Sequence, residues 1–239
     1  MDAGAREREK ACGGGCAPGM IPVMTAAEIV LMADPRIAAV PVRDCGEPLV
    51  DVRESGLELR PERVDGVEAY ALLRSGVVER LLKAQELLPD GLRLVIVEGY
   101  RTPALQREYF EEYEEELRGL HPDWPASRVR SAASRYVSPP EIAPHSAGGA
   151  VDLTLADAAG VELDMGTPMN ASPEQSGGAC YTEGPGVGAA ARANRAVLGA
   201  ALDAAGLVNY PTEWWHWSYG DRYWALARGE RAALYGPRG

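Results

Sequence analysis

Apolar side chains recur every three or four residues over residues 68–88, which predicts an amphipathic helix there. Pro89, Asp90 and Gly91 follow and predict its end. The apolar face of this helix consists of Leu72, Leu73, Val77, Leu81, Ala84 and Leu88. One side of the helix is therefore expected to pack on a core.

A second helix is predicted to begin where Thr102 is followed by Pro103, because threonine caps helices and proline suits the first helical position. One face of this helix is apolar. The opposite face is a run of acids that we interpret as solvated: Glu111, Glu112, Glu114, Glu115 and Glu116. Further helices are predicted over residues 127–136, over residues 189–205 with Gly206 as the cap, and over residues 223–233.

Residues 92–98 form a mostly apolar run that predicts a buried strand, and residues 150–155 alternate as a second strand. Short extended segments are expected at residues 41–43 and 49–53, and a last strand region carries the Glu-Trp-Trp-His element at residues 213–216. A long loop, residues 157–188, separates the second strand from the next helix. Loops of this length inside a compact domain are usually functional and often form a lid or a pocket wall.

The order of these elements predicts a single α+β domain over residues 20–239, with a central mixed or antiparallel sheet flanked by helices. Residues 1–19 carry charge, glycine and cysteine without periodicity, so we expect a disordered or loosely attached leader. A short helical turn is predicted at Thr25, where a capping-box pattern begins.

The composition is that of an ordinary globular protein, with 46% hydrophobic and 25% charged residues among 239. A net charge of -11 disfavours a nucleic acid or an anionic membrane as the main partner, because both are anionic too. The sequence specifies no oligomeric state.

A cytoplasmic location is expected, because no apolar run is long enough to span a bilayer and no apolar core follows the basic residues near the N-terminus.

Of the four cysteines, Cys12 and Cys16 lack a second pair at zinc-finger spacing. Cys45 and Cys180 could form a disulfide in an oxidising compartment.

Two of the three histidines stand at short spacing from a carboxylate. His145 opens a segment that ends at Asp152, and Glu213 precedes His216 by three residues within a tryptophan-rich stretch. We predict that His145, Asp152 and His216 bind one Zn²⁺ ion and leave one position for water. Glu213 is then placed to accept the proton of that water and to deliver it to a leaving amine.

The tryptophan-rich stretch cannot be a regular strand if Glu213 and His216 face the same site, because residues three apart point to opposite sides of a strand. We therefore expect irregular backbone around Trp214 and Trp215. Taken singly, a histidine in such a stretch is more often a core side chain, and His145 could be a loop residue. Asp152 is harder to interpret in this way, since a buried carboxylate without a partner is costly.

Arg101 follows the first predicted strand and has two possible roles. Its guanidinium could stabilise the oxyanion of a tetrahedral intermediate, or it could form a structural ion pair with Glu98.

Four segments resemble the zinc D-alanyl-D-alanine dipeptidases of the VanX type, in the order of that family and over residues 46–227. They begin at Glu98 (Glu-Gly-Tyr-Arg-Thr), His145 (His-Ser-Ala-Gly-Gly-Ala-Val-Asp-Leu-Thr-Leu), Asp164 (Asp-Met-Gly-Thr) and Asn209 (Asn-Tyr-Pro-Thr-Glu-Trp-Trp-His-Trp-Ser-Tyr-Gly). The resemblance implies the mixed α+β fold shared with zinc DD-carboxypeptidases and cleavage of free D-Ala-D-Ala, a peptidoglycan precursor.

The resemblance also implies a role for each residue of the site. Zinc is held by His145, Asp152 and His216, Glu213 is the catalytic base, and Arg101 stabilises the transition state. The sequence departs from the family at Asn170, where an aspartate is thought to receive the substrate ammonium group, and at Ala143, where the family has serine.

The sequence therefore predicts a zinc dipeptidase acting on D-Ala-D-Ala or a related small dipeptide. A DD-carboxypeptidase acting on longer peptidoglycan peptides is the alternative with the same chemistry. A zinc-binding protein without catalysis is the alternative from another class, and a purely structural zinc would need four protein ligands.

Overall fold

A computed structural model describes residues 29–60 and 68–238 of the chain. Their helices are α1 (Pro35–Ala39), α2 (Ser75–Leu87), α3 (Pro103–Leu120), α4 (Ala126–Ala133), α5 (Pro173–Ser176), α6 (Ala189–Ala204) and α7 (Arg222–Arg228). Their strands are β1 (Leu49–Asp51), β2 (Glu58–Leu59), β3 (Leu72–Arg74), β4 (Arg93–Glu98), β5 (Ala150–Ala156), β6 (Val208–Asn209) and β7 (His216–Ser218). The leader predicted at residues 1–19 and the turn predicted at Thr25 lie outside the described residues.

The central sheet has five strands in the order β2-β4-β5-β7-β6, and a separate pair is formed by β1 and β3. Strand β2 runs parallel to β4, whereas the other neighbours in the central sheet are antiparallel. The strands predicted at residues 92–98 and 150–155 are β4 and β5, which lie next to each other inside this mixed sheet. The prediction of an α+β domain is confirmed.

Helix α2 is shorter than the pattern of apolar residues predicts. It begins at Ser75, because Leu72–Arg74 instead pair antiparallel with Leu49–Asp51. The preceding Ala69–Ala71 form a 3-10 turn. The prediction of helix over residues 68–74 is wrong because a strand partner more than 20 residues away competes with the local helical pattern.

Helix α3 begins as predicted, with the Thr102 hydroxyl accepting a hydrogen bond from the Leu105 N–H at 3.3 Å. Helix α7 is shorter than the predicted residues 223–233. It ends at Arg228, and the next residue, Gly229, caps it in a left-handed conformation with φ 70°. Beyond it, Ala233 forms a parallel bridge with Val42 instead of a further helical turn.

The main core lies between the sheet and helices α2 and α6. Among the described residues, no helix is long and apolar enough to cross a membrane. The two cysteines within the described residues are both free thiols. Cys45 is exposed and Cys180 is buried, so the possible disulfide between them does not form.

The long segment predicted over residues 157–188 is held to α6 by Arg195, which is 4% exposed. The guanidinium of Arg195 donates hydrogen bonds to four backbone carbonyls, those of Met165, Ala179, Tyr181 and Thr182. These carbonyls belong to distant points of the same loop. One side chain of α6 therefore fixes the fold of the loop.

Replacing Arg195 by methionine is expected to destabilise the protein by about 3 kcal/mol, because buried carbonyls lose charged donors and gain none. We also expect faster proteolysis within residues 157–188. Arg192→Met is the matched control, since Arg192 stands on the same helix and donates to only one loop carbonyl, that of Val187, from a side chain that is 47% exposed. Equal unfolding free energies for the two variants would contradict this role of Arg195.

Candidate metal centre

Three predicted ligands are brought together at one end of the sheet. Asp152 of β5 lies directly opposite His216 of β7 in the antiparallel register, which places both side chains on the same face. His145 belongs to a 3-10 turn, His145–Ala147, which precedes β5. Gly148 follows this turn in a left-handed conformation with φ 68°, and an added Cβ there would meet Leu49 at 2.4 Å. The glycine thus permits the bend that brings His145 back over β5.

The ligand atoms form a compact triangle. His145 Nε2 lies 3.2 Å from His216 Nδ1 and 3.3 Å from Asp152 Oδ1. The distance from His216 Nδ1 to Asp152 Oδ1 is 3.1 Å. All three residues are buried, with side chains 4% to 6% exposed.

The donor set fits a zinc ion. Tetrahedral zinc with ligands at its usual distances separates neighbouring ligand atoms by about 3.4 Å, close to the distances in this triangle. In the part of the chain that the structure describes, no other group of three or more metal-binding side chains comes together in this way.

The hydrogen bond of His145 fixes which of its nitrogens faces the triangle. Its Nδ1–H donates to the carbonyl of Gly99 at 2.6 Å, so Nε2 carries the lone pair that a metal needs. Gly99 itself is anchored by its N–H to the Tyr70 carbonyl at 2.7 Å. The 3-10 turn before β3 thus supports the orientation of His145 from behind.

The charge states of the triangle also suit a metal. Burial raises the pKa of Asp152, but its interactions with the imidazoles of His145 and His216 outweigh this effect and hold the pKa well below its usual range. Burial lowers the pKa of His216, which favours the neutral imidazole. An ionised carboxylate and neutral imidazoles are the forms that bind zinc.

Glu213 lies beside the triangle, with Oε2 3.9 Å from His216 Nδ1. Burial and the negative charge of Asp152 raise its pKa well above the ordinary range, and the charge of Arg101 acts in the opposite direction. A buried carboxylate with a raised pKa next to a cavity is typical of a group that gains and loses a proton.

The predicted irregular backbone around Trp214 and Trp215 is confirmed. Residues 211–215 form turns between β6 and β7, and the Glu213 N–H donates to the Tyr210 carbonyl at 2.9 Å. The Asn209 side chain stabilises this turn, because its Nδ2 donates to the carbonyls of Glu213 and His216, each at 3.0 Å. Sequence reasoning missed this role of Asn209, although the residue lies in the same motif.

Arg101 forms the predicted ion pair with Glu98 and also lines the cavity. Its Nε and Nη2 each donate to a Glu98 oxygen at 2.8 Å, while Nη1 donates to Gln106 Oε1 at 3.0 Å. Burial lowers the pKa of Arg101, but the Glu98 charge and hydrogen bonds outweigh it and raise this pKa further. The structural role and the role at the site are therefore compatible.

The triangle, Glu213 and Arg101 all open into a cavity of about 420 Å³. Its outer wall comes from α3 and the segment after α4, and includes Tyr109, Glu112, Tyr113, Glu116 and Tyr136. Glu112 and Glu116 are exposed, in agreement with the interpretation of this face of α3 as solvated, and they also line the cavity. The sequence gives no signal for this, because the orientation of α3 towards the site depends on packing between distant segments.

The two positions that depart from the family pattern lie in different surroundings. Asn170 lines the cavity in a left-handed conformation with φ 62°, and its carbonyl accepts a hydrogen bond from the Tyr136 hydroxyl at 2.8 Å. Asparagine is one of the few residues other than glycine that take this conformation readily. Ala143 is 1% exposed, so a side chain there faces the protein interior.

Curated proteins with similar sequences are D-alanyl-D-alanine dipeptidases. The one from Synechocystis sp. is 29% identical over 222 residues, covering 81% of this chain and 90% of the relative. The one from Escherichia coli is 31% identical over 151 residues, covering 62% of this chain and 67% of the relative.

Two solved structures show distant similarity. The LdcB LD-carboxypeptidase, solved for its peptidoglycan recognition, has a TM-score of 0.44 and 18% identity, with 80% of this chain and 77% of that chain covered. A zinc-bound mutant of the vancomycin resistance D,D-pentapeptidase VanY, from the VanB-type cassette, has a TM-score of 0.40 and 15% identity, with 81% of this chain and 94% of that chain covered.

Residues 63–229 match the Peptidase M15 family, described as D-Ala-D-Ala dipeptidase. This range contains the triangle, Glu213 and Arg101, and it makes up more than half of the chain. The protein therefore belongs to the Peptidase M15 family and is a metallopeptidase.

Proposed function

We propose that this protein is a zinc dipeptidase that hydrolyses D-Ala-D-Ala or a closely related small dipeptide. The observation that carries the proposal is the triangle of His145 Nε2, Asp152 Oδ1 and His216 Nδ1, which opens towards a cavity with Glu213 at its side. Three ligands and a free side are typical of catalytic zinc, whereas structural zinc takes four protein ligands.

The chemistry that zinc supplies in such a site is activation of a water molecule and polarisation of the substrate carbonyl. Glu213 accepts a proton from the attacking water as the carbon–oxygen bond forms. It then delivers that proton to the amide nitrogen as the carbon–nitrogen bond breaks. Burial raises the pKa of Glu213, which makes its carboxylate a stronger proton acceptor for the first transfer.

Arg101 stabilises the negative charge that develops on the carbonyl oxygen. Three of its N–H groups are occupied by Glu98 and Gln106, and a guanidinium has five. The two carboxylate bonds hold the plane of the group fixed, and two N–H groups remain for the carbonyl oxygen of a substrate. A rigid donor is effective because it needs no reorganisation during the reaction.

The size of the cavity and the names of the relatives support a small dipeptide as substrate. A volume of about 420 Å³ lies near the lower end of the range for small-molecule sites, about 300–1,000 Å³. The long segment clamped by Arg195 contributes Asn170 to the cavity wall. A wall of this kind favours a short substrate over a longer peptidoglycan peptide, so the DD-carboxypeptidase is the second candidate. A cytoplasmic location remains a prediction from the sequence.

A panel of D,D-, L,D- and L,L-dipeptides, with a longer peptide ending in D-Ala-D-Ala, tests this function with zinc and after chelation. We expect zinc-dependent cleavage of D-Ala-D-Ala and much slower cleavage of the longer peptide. Faster cleavage of the longer peptide would establish the carboxypeptidase instead. Stoichiometric zinc without cleavage of any peptide would support the non-catalytic binding protein.

A further inference from the structure

Three buried polar atoms that lack a hydrogen-bond partner within the described residues belong to His216 and to two residues shortly after it in the chain. They are His216 Nε2, Ser218 Oγ and Asp221 Oδ2. Buried polar groups in folded proteins are nearly always hydrogen-bonded, so several unpaired atoms in one region need an explanation.

These atoms belong to residues that the local backbone places close together. His216 and Ser218 are two residues apart on β7, so their side chains point to the same face. Asp221 follows three residues later, at the beginning of α7. Burial raises the pKa of its carboxyl group, and interaction with the Ser218 hydroxyl opposes this rise. The charges of Asp221 and His216 also act on each other.

Asp221 uses only one of its two oxygens in the fold. Its Oδ1 accepts hydrogen bonds from the backbone N–H groups of Tyr223 at 2.6 Å and Trp224 at 3.1 Å, which caps α7. The residue is 1% exposed, so Oδ2 cannot be satisfied by bulk solvent. Helix capping explains the presence of an aspartate but not the burial of its second oxygen.

His216 needs an acceptor on this side. Its Nδ1 faces Asp152 and His145, and a neutral imidazole that offers a lone pair at Nδ1 carries its proton on Nε2. The nearby Tyr210 hydroxyl is already occupied, since it accepts from the Met32 N–H and donates to the Ser134 carbonyl. Without an acceptor for its buried Nε2–H, His216 would bind a metal ion less tightly.

We propose that Asp221 is a positioning residue of the metal centre, whose Oδ2 accepts the Nε2–H of His216 through one buried water that Ser218 Oγ also contacts. This inference rests on the proposed zinc site. A buried water is reasonable here because three polar partners surround it. A carboxylate behind a histidine ligand fixes the ring and its tautomer and makes the metal-facing nitrogen more basic.

Asp221→Asn tests the proposal, because an asparagine caps a helix as well as an aspartate but removes the charged acceptor. We expect the zinc dissociation constant, measured by chelator competition, to rise about 10- to 100-fold. The visible absorption of the Co²⁺-substituted protein should change as well. The melting temperature of the metal-free protein should stay close to that of the control Asp34→Asn, since Asp34 caps α1 by the same kind of contact.

Ser218→Ala provides a second variant that leaves the cap of α7 intact. It is expected to weaken zinc binding several-fold. If Asp221→Asn lowers the stability of the metal-free protein, the zinc affinity of Ser218→Ala tests the proposal instead. Unchanged zinc affinity and an unchanged Co²⁺ spectrum in well-folded variants would overturn the proposal. If the wild-type protein itself binds no zinc at His216, the proposed function fails, and the role of Asp221 fails with it.

Discussion

Replacing Glu213 by glutamine is expected to lower kcat/KM for dipeptide hydrolysis by about 1,000-fold, within the range that general acid–base groups contribute. Glutamine has the shape of glutamate but cannot take a proton from water at neutral pH. Zinc content should stay at the wild-type level, because Glu213 is not one of the three atoms of the triangle. Steady-state kinetics together with metal analysis of the same samples measures both quantities.

The matched control for this variant is Glu115→Gln on α3, where the side chain is 79% exposed and remote from the chemistry. It removes the same charge and should keep wild-type activity. The metal-free Glu213→Gln protein should be at least as stable as the wild type, since the change removes a buried carboxyl group that lies close to Asp152. Wild-type cleavage by a zinc-loaded Glu213→Gln protein would rule out the mechanism.

Replacing Asp152 by asparagine is expected to weaken zinc binding by at least about 100-fold, more than the loss of a residue behind a ligand usually does. The amide is neutral and a poor zinc ligand, so the remaining site offers only two imidazoles. Cleavage should fall below detection at zinc concentrations that saturate the wild type. Chelator competition gives the affinity, and a dipeptide assay at fixed free zinc gives the activity.

Asp157→Asn is the control for Asp152→Asn. Asp157 follows the same strand, and its side chain accepts hydrogen bonds from the Ala159 and Val161 N–H groups in an exposed turn. This change should leave zinc affinity unaltered. Retention of one tightly bound zinc by the Asp152→Asn protein would show that the metal lies elsewhere.

The parts of the fold that the sequence predicts correctly depend on local interactions. The beginning of α3 follows from a threonine cap and a proline at the first position, and both act within one helical turn. The alternation of apolar residues with Asp152 and Thr154 predicts that Asp152 lies on a strand, although β5 is buried on both faces. The irregular turn before His216 also follows from local geometry, because Glu213 and His216 could not otherwise face one site.

The parts that the sequence does not predict depend on contacts between distant segments. Leu72–Arg74 become a strand because β1 pairs with them, although their apolar spacing is helical. Glu112 and Glu116 line the cavity because of how α3 packs against the rest of the domain. The sequence predicts no role for Asp221, and its unpaired second oxygen becomes apparent only when the burial of the residue is known.

The candidate ligands are predictable for a different reason. Each is a metal-binding type of residue in an apolar context, and burial of such a residue is costly without a partner. Their convergence within 4.8 Å is a property of the folded chain, to which the β5–β7 register and the bend at Gly148 both contribute. Their roles as zinc ligands remain predictions.

The most direct test of the central claim is a crystal structure of the zinc-loaded protein with anomalous diffraction recorded on both sides of the zinc absorption edge. We predict one strong peak, about 2.0–2.2 Å from His145 Nε2, Asp152 Oδ1 and His216 Nδ1, with its fourth side open to the cavity beside Glu213. A peak at any other site, or a zinc ion with four protein ligands, would contradict it.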